Sequence, residues 1–310
     1  MAASSQPDYT PPSSTVMRER QNEPYALRLL IAQRYLYSRA KRWLALRWFG
    51  MLVIGLAAPV VSVIWPSLAV VVGAVAGLWL FLGQTLLMYA QSSNVTRAAA
   101  VQEQFDFYVY GMPSSIERST TPTIEEICAL AGPDDKLENI AVKEKLMDWY
   151  PINADDSGIS AVAISQRANA VYTDRLLRAT AIAWSIVTAV WVLILVGVSI
   201  GVGLSLATFL VGVFLPVLPA FLDIVRYVAG VWKAARGRRD LARSIEGRLR
   251  RVEDRIEGGD LLVWQDSLYD LRKTTPLVPD LLYKLRRAVN ERSMKAAASQ
   301  LGQQARRSGQ

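Results

Sequence analysis

Residues 48–96 read WFGMLVIGLAAPVVSVIWPSLAVVVGAVAGLWLFLGQTLLMYAQSSNVT, 49 consecutive positions without Asp, Glu, Lys or Arg. A helix crosses a bilayer with about 20 apolar residues, so this block holds enough chain for two crossings. A second uncharged block, 44 residues over 179–222, repeats the pattern. Each is divided near its middle by residues that end helices: Trp65-Pro66-Ser67 in the first, and Gly197 to Gly203 in the second. The reading is an all-α membrane protein with four transmembrane helices, at about 48–65, 68–90, 180–198 and 205–225, arranged as two hairpins. A chain of 310 residues is too short to hide two such blocks inside a soluble core.

The basic residues orient it. Neither hairpin turn carries a charge. Arg39, Lys41, Arg42 and Arg47 precede the first span, Arg97 follows the second, Arg175 and Arg178 precede the third, and Lys233, Arg236, Arg238 and Arg239 follow the fourth. The positive-inside rule then puts both termini and the middle segment in the cytoplasm. The first apolar run starts behind a long polar arm and does not read as a cleavable signal. Trp43, Trp48, Trp65 and Trp232 fall at span edges, the depth indole rings prefer.

The polar segments divide the rest. Residues 1–19, rich in Ser, Pro and Thr at their start, read as a disordered arm. A juxtamembrane helix over 20–47 takes Asn22 as its cap and Pro24 in its first turn. Hairpin 48–90 is followed by a cytoplasmic domain, 91–178, whose Thr123 and Glu126 fit a capping box and whose Gly132-Pro133 ends that helix. Between Arg97 and Arg178 there are 13 acidic and 8 basic residues. Hairpin 179–225 leads into 226–293, where Leu241, Ile245, Leu249, Val252 and Ile256 form one apolar stripe. That stripe predicts a projecting helical stalk, stopped by Gly258-Gly259 and followed by a helical pair. Residues 294–310 read as a disordered tail. Basic segments beside spans point to anionic lipid headgroups, and no DNA partner is expected.

Composition closes the ordinary routes to catalysis. There is no histidine and one cysteine, Cys128. Imidazole acid–base chemistry, the Ser-His-Asp triad, His-ligated metal and an internal disulfide are therefore out of reach. We expect no enzyme, no catalytic residue, no metal site and no cofactor.

Several blocks taken together carry a resemblance: Arg20-Gln21-Asn22; Ala32 to Lys41; Val101-Gln102-Glu103-Gln104-Phe105-Asp106-Phe107-Tyr108-Val109; Asp148-Trp149-Tyr150-Pro151; Gln166-Arg167-Ala168-Asn169 with Asp174 and Arg178; Trp264 to Tyr269 with Arg272; and Val278-Pro279-Asp280 with Tyr283 and Arg286. In this order, with two hairpins between them, the chain resembles the SMODS-associated four-transmembrane pore-forming effector family. The resemblance implies a bacterial anti-phage effector of cyclic-oligonucleotide signalling. A partner nucleotidyltransferase would make the messenger, and the membrane protein would oligomerise and permeabilise the membrane.

A cyclic oligonucleotide is a polyanion with flat bases, suited to guanidinium and aromatic side chains. Candidate ligand-binding residues are Arg34, Tyr37, Arg39 and Lys41 beside the membrane, Trp149 and Tyr150 in the acidic segment, and Arg167, Asp174 and Arg178, which share a helix face. Candidate pore-lining residues are Gln84, Gln91, Asn94, Thr188, Thr208 and Asp223. The same groups also have plain structural uses: Asp174 with Arg178 as an i,i+4 pair, Asp223 with Arg226, and span hydroxyls and amides as interhelical bonds. Three classes of function compete: a ligand-responsive oligomeric pore, a secondary transporter, and a membrane scaffold without pore activity. Against the transporter, the two apolar blocks lack the ionisable groups such proteins use.

Overall fold

The computed structural model describes residues 9–113, 118–251 and 255–307. All regular structure among them is helical. After a short helix α1 (Ser14–Arg20), α2 runs unbroken from Pro24 to Ile64. A turn at Trp65 and Pro66–Leu68 reverses the chain into α3 (Ala69–Leu82), a π-helical segment (Gly83–Leu87) and α4 (Met88–Tyr110). Two short helices follow, α5 (Ile124–Ala131) and α6 (Leu137–Glu144). The 44-residue α7 (Gly158–Gly201) goes out again. The chain returns through a single turn α8 (Leu206–Thr208), a second π-helical segment (Phe209–Phe214) and α9 (Leu215–Arg250), bent by 63° where these join. The helices α10 (Gly258–Thr274) and α11 (Asp280–Arg307) complete it.

Three straight helices are long and apolar enough to cross a bilayer, and the bent return makes a fourth. The number must be even. Leu30 and Leu36 before the first span, Phe105 and Val109 after the second, Val162 and Ile164 before the third, and Ile245 and Ile256 after the fourth all belong to one buried core. Every polar segment therefore lies on the same side of the spans, as two hairpins require. At the junction, Trp48 packs edge-on against Trp184 (4.5 Å between ring centroids) and Tyr227 (4.8 Å). The Tyr227 hydroxyl donates to the Leu277 carbonyl at 2.7 Å, which seats the α10–α11 linker against the base of the spans.

The structure alters several boundaries. The amino-terminal arm, expected to be disordered over 1–19, is packed from Tyr9 onward; residues 1–8 lie outside the described residues. The Tyr9 hydroxyl donates to the Tyr110 carbonyl and the Ser14 hydroxyl to that of Ala154, while Met17 is fully buried. The strap 9–13 runs so close to the starts of α7 and α10 that a Cβ on Gly158 or Gly258 would overlap its Pro12 or Tyr9 carbonyl. The tail expected at 294–310 is instead helical to Arg307, with Met294, Ala298, Leu301 and Ala305 buried; residues 308–310 lie outside the described residues. No stalk projects. The helix stops at Arg250, and its Ile245 and Leu249 are core residues together with Ile256. Val252 lies outside the described residues. Gly258-Gly259 opens α10 rather than stopping the preceding helix. Asn22 does not cap α2: Glu23 stands at that position, and the Asn22 amide exchanges two bonds with Asp148, each 3.0 Å. The Thr123–Glu126 capping box forms with both of its reciprocal bonds.

Candidate functional site

Asp106 on α4 is fully buried, and a carboxylate can stay ionised there only if its oxygens are bonded. It accepts from the Tyr150 hydroxyl (2.5 Å), Gln265 Nε2 (2.7 Å) and Arg272 Nη1 (2.5 Å). Gln166 Nε2 extends the network to Gln265 Oε1 (3.1 Å) and to the Leu261 carbonyl (2.9 Å). Gln21 Oε1 accepts from the Tyr150 amide at 2.9 Å. Beside it, Glu103 takes both a 3.0 Å bond from Arg118 Nε and one from its Nη2, and the Arg118 guanidinium lies 4.0 Å from the Tyr269 ring centroid. The scattered polar blocks of the sequence thus meet in space. Five of the blocks have a structural reason to occur together: through Gln21, Asp106, Tyr150, Gln166, Gln265 and Arg272 they supply the members of a network that must be complete to be buried.

Against this network lies a cavity of about 740 Å³. One face of α2 (Leu30, Gln33, Arg34, Tyr37, Ser38, Lys41) forms one wall. The segment Glu144–Pro151 forms another, and Ala168, Asn169, Tyr172, Thr173 and Leu176 of α7 a third. Arg238, Arg272, the linker Thr275–Val278 and one side of α11 close it. Lys145 and Asp148, both in left-handed backbone (φ +55 and +49), bracket the turn that brings Trp149 and Tyr150 into the wall. Asp tolerates that conformation, and here the paired bonds to Asn22 hold it.

Eight basic side chains line the cavity (Arg34, Lys41, Lys145, Arg238, Arg272, Lys284, Arg287, Lys295) against four acidic ones (Glu144, Asp148, Asp280, Glu291), with the aromatic rings of Tyr37, Trp149, Tyr150, Tyr172 and Tyr283 between them. Some of these charges are spent on each other: Arg34 on Glu144 (2.7 Å), Lys41 on Asp280 (2.5 Å) and Arg287 on Glu291 (2.6 Å). Burial pulls the Arg272 pKa down, but the Asp106 carboxylate more than offsets it and the net shift is upward. Among the described residues Arg238 has no such carboxylate. Burial and the neighbouring Arg272 charge lower its pKa to about 10. Burial raises the Tyr37 hydroxyl, with Arg272 and Arg238 acting in the opposite sense.

Of the candidate ligand-binding residues, the structure gathers Arg34, Tyr37, Lys41, Trp149 and Tyr150 around this cavity. It does not bring in the others. Arg39 is exposed and turned away. Arg167 pairs with Glu246 of α9 (2.8 Å), while Asp174 pairs with Arg178 (2.8 Å) and Arg239 (3.6 Å). These three do share a face of α7, but it is the face against α9. The cavity takes the opposite one, through Asn169, Tyr172, Thr173 and Leu176. The buried Arg238 and Arg272 were not singled out from sequence, because an arginine in a basic juxtamembrane run reads as a headgroup contact. The signal was there only for Arg272, as a member of one of the resembling blocks.

The candidate pore residues do not form a single row. Asp223 (3% exposed) and Arg47 (5% exposed) pair across α9 and α2 at 3.4 Å, and Gln84 Nε2 of the π-helical segment donates to Asp223 Oδ1 at 2.5 Å. Asp223 therefore pairs with Arg47 and not with Arg226. Asn94 donates to the Ala90 carbonyl and Thr188 to that of Trp184, both within their own helices. Gln91 has a buried Oε1 with no partner. Thr208 shares a hydrogen bond with Ser205 in the far turn.

Comparison with known proteins agrees with this architecture. The family model described as the SMODS-associating 4TM effector domain matches residues 15–301. No curated protein and no solved structure matches the chain.

Proposed function

The chain belongs to the SMODS-associating 4TM effector family, and from that membership we propose an inner-membrane effector of anti-phage defence. Both termini are cytoplasmic in this reading. The cavity receives a cyclic oligonucleotide made by a partner nucleotidyltransferase, and the hairpins of several subunits then open a path through the membrane. The observation that carries this reading is the cavity itself. Twice as many basic as acidic groups, interleaved with five aromatic rings in a space of about 740 Å³, suit a ligand that is both polyanionic and flat-ringed.

Coupling to the membrane has a direct route. Tyr37 and Arg47 stand ten residues apart on α2, about 15 Å at 1.5 Å per residue, and Asp223 and Arg238 fifteen apart on α9, about 22 Å. Each helix thus carries a cavity residue at one level and a member of the Arg47–Asp223–Gln84 cluster at another. A ligand that draws the two helices together at the cavity strains a buried ion pair with few alternative arrangements, which is the kind of bistable contact a switch uses. One four-helix bundle is too narrow for a water path, so conduction takes several subunits.

The test uses purified full-length protein in liposomes loaded with a self-quenched dye, titrated with a panel of cyclic oligonucleotides. At least one member is expected to release dye at micromolar concentration. Correctly inserted protein that neither binds any member nor leaks would overturn the proposal, and partner capture without leakage would favour the scaffold instead.

A further inference from the structure

Two arginines meet at the inner end of the cavity, and only one is neutralised. Arg272 has Asp106; Arg238, 3% exposed, has among the described residues a single hydrogen-bond partner, the Thr275 hydroxyl at 3.1 Å from its Nη2. Among the described residues no carboxylate reaches it. Nε and Nη1 of Arg238 and Nε and Nη2 of Arg272 are buried with no acceptor at all. A guanidinium removed from water and left unpaired is among the costliest arrangements a fold tolerates, and a hydroxyl does not compensate it. Both side chains line the cavity, so the missing acceptors can arrive from there.

We propose that Arg238 and Arg272 form a seat for one phosphate ester of the cavity's ligand. A phosphodiester stays anionic at every physiological pH and offers two unesterified oxygens, which matches two guanidinium groups with open N–H donors. The cavity is far larger than a lone anion, so the phosphate belongs to a bigger molecule whose remainder lies toward Tyr37 and Trp149. This deepens the messenger reading and rests on it for the identity of that remainder. The same chemistry is also met by the phosphate of an anionic lipid, because the cavity extends to Lys41 and Val278 next to the spans.

The experiment measures thermal unfolding of the full chain in nanodiscs, comparing wild type with R238M and R238K. One arm uses phosphatidylcholine discs with added cyclic dinucleotides, cyclic trinucleotides or inorganic pyrophosphate. The other uses phosphatidylglycerol discs with no addition. Without ligand, R238M is expected to melt higher than wild type, since it removes an unpaired buried charge. A phosphate ester is expected to raise the wild-type midpoint by several degrees and to lose at least tenfold in affinity for R238M. If R238M does not fold, R238K decides: it keeps the charge but not the fork, and is expected to bind about tenfold more weakly. Stabilisation confined to the phosphatidylglycerol arm and dependent on Arg238 assigns the seat to lipid and counts against the messenger reading. Nucleotide stabilisation that is equal in wild type and the Arg238 variants leaves the messenger reading standing and overturns the seat. No phosphate-ester effect in either arm overturns it as well.

Discussion

The extramembrane body and the hairpins are made from similar apolar side chains and place them in opposite ways. In the body, Phe105, Leu30, Leu36, Ile164 and Leu177 are fully buried. In the hairpins, Leu56, Phe81, Leu193 and Ile200 face outward, and Val70 is 83% exposed. Water makes the first arrangement obligatory. Lipid removes the penalty for the second and leaves the hairpins to be held by span-satisfied backbone bonds, close packing and a few polar contacts. Apolar content therefore says where a segment lives and little about how firmly it is held. Polar groups reverse roles in the same way: the body buries a many-membered network around Asp106, whereas the spans carry one compact cluster around Asp223.

The largest expected effect breaks the body alone. Asp106→Ala leaves Arg272 buried beside an already unpaired Arg238, and losing one partner of a buried pair costs about 3–5 kcal/mol. The variant is expected to lose its tryptophan-monitored unfolding transition and become protease-sensitive in the body, while still resisting alkaline extraction from membranes. If both regions collapse together, their independence is refuted. Phe105→Ala should cost a similar ~3–5 kcal/mol through its cavity, against about 0.5 kcal/mol for Leu193→Ala on the lipid face. Equal losses in denaturant titrations would erase the contrast.

Asp223→Asn is the intermediate case. It keeps an acceptor for Gln84 but leaves Arg47 uncompensated, so dye release without any ligand is expected to rise several-fold. The double change R47M/D223L is expected to restore tightness. A leak that the double change does not reverse would mean that the pair is not what holds the resting state. Thr123→Ala removes a cap worth about 1 kcal/mol. Amide exchange should quicken over Ile124–Ala131, with the rest of the body unchanged. Smallest of all, Arg39→Ala should alter stability by less than about 0.5 kcal/mol and leave nucleotide affinity as it was.

What could be read from sequence follows the range of the governing interaction. Spans answer to bilayer thickness and a capping box to a three-residue spacing, so both were legible. The cavity face of α7 was not. Arg167, Asp174 and Arg178 do fall on one side by helical geometry, yet which side meets ligand depends on α2 and α11, more than a hundred residues away in either direction. The carboxyl-terminal helix is legible as the second of the helical pair, but its continuation from 294 to Arg307 is not, because Ala, Gln and Arg supply helix propensity without much hydrophobic signal. Its Met294, Ala298, Leu301 and Ala305 still step by 4, 3 and 4. Arg238 was hidden among neighbours of the same charge, since composition does not distinguish a guanidinium facing headgroups from one buried beside another.

The strap at residues 9–13 has a consequence for synthesis. Its seats, at Tyr110, Gly158 and Gly258, emerge from the ribosome after it does, the last of them only when every membrane crossing has been translated. The seats at Tyr110 and Gly158 are made before the second hairpin and the one at Gly258 only after it, so the strap closes in stages and its last contact is among the final acts of maturation. A chain truncated between residues 226 and 257 would enter the lipid complete in its crossings yet lack the last seat of the strap and the helices α10 and α11 that close its aqueous half.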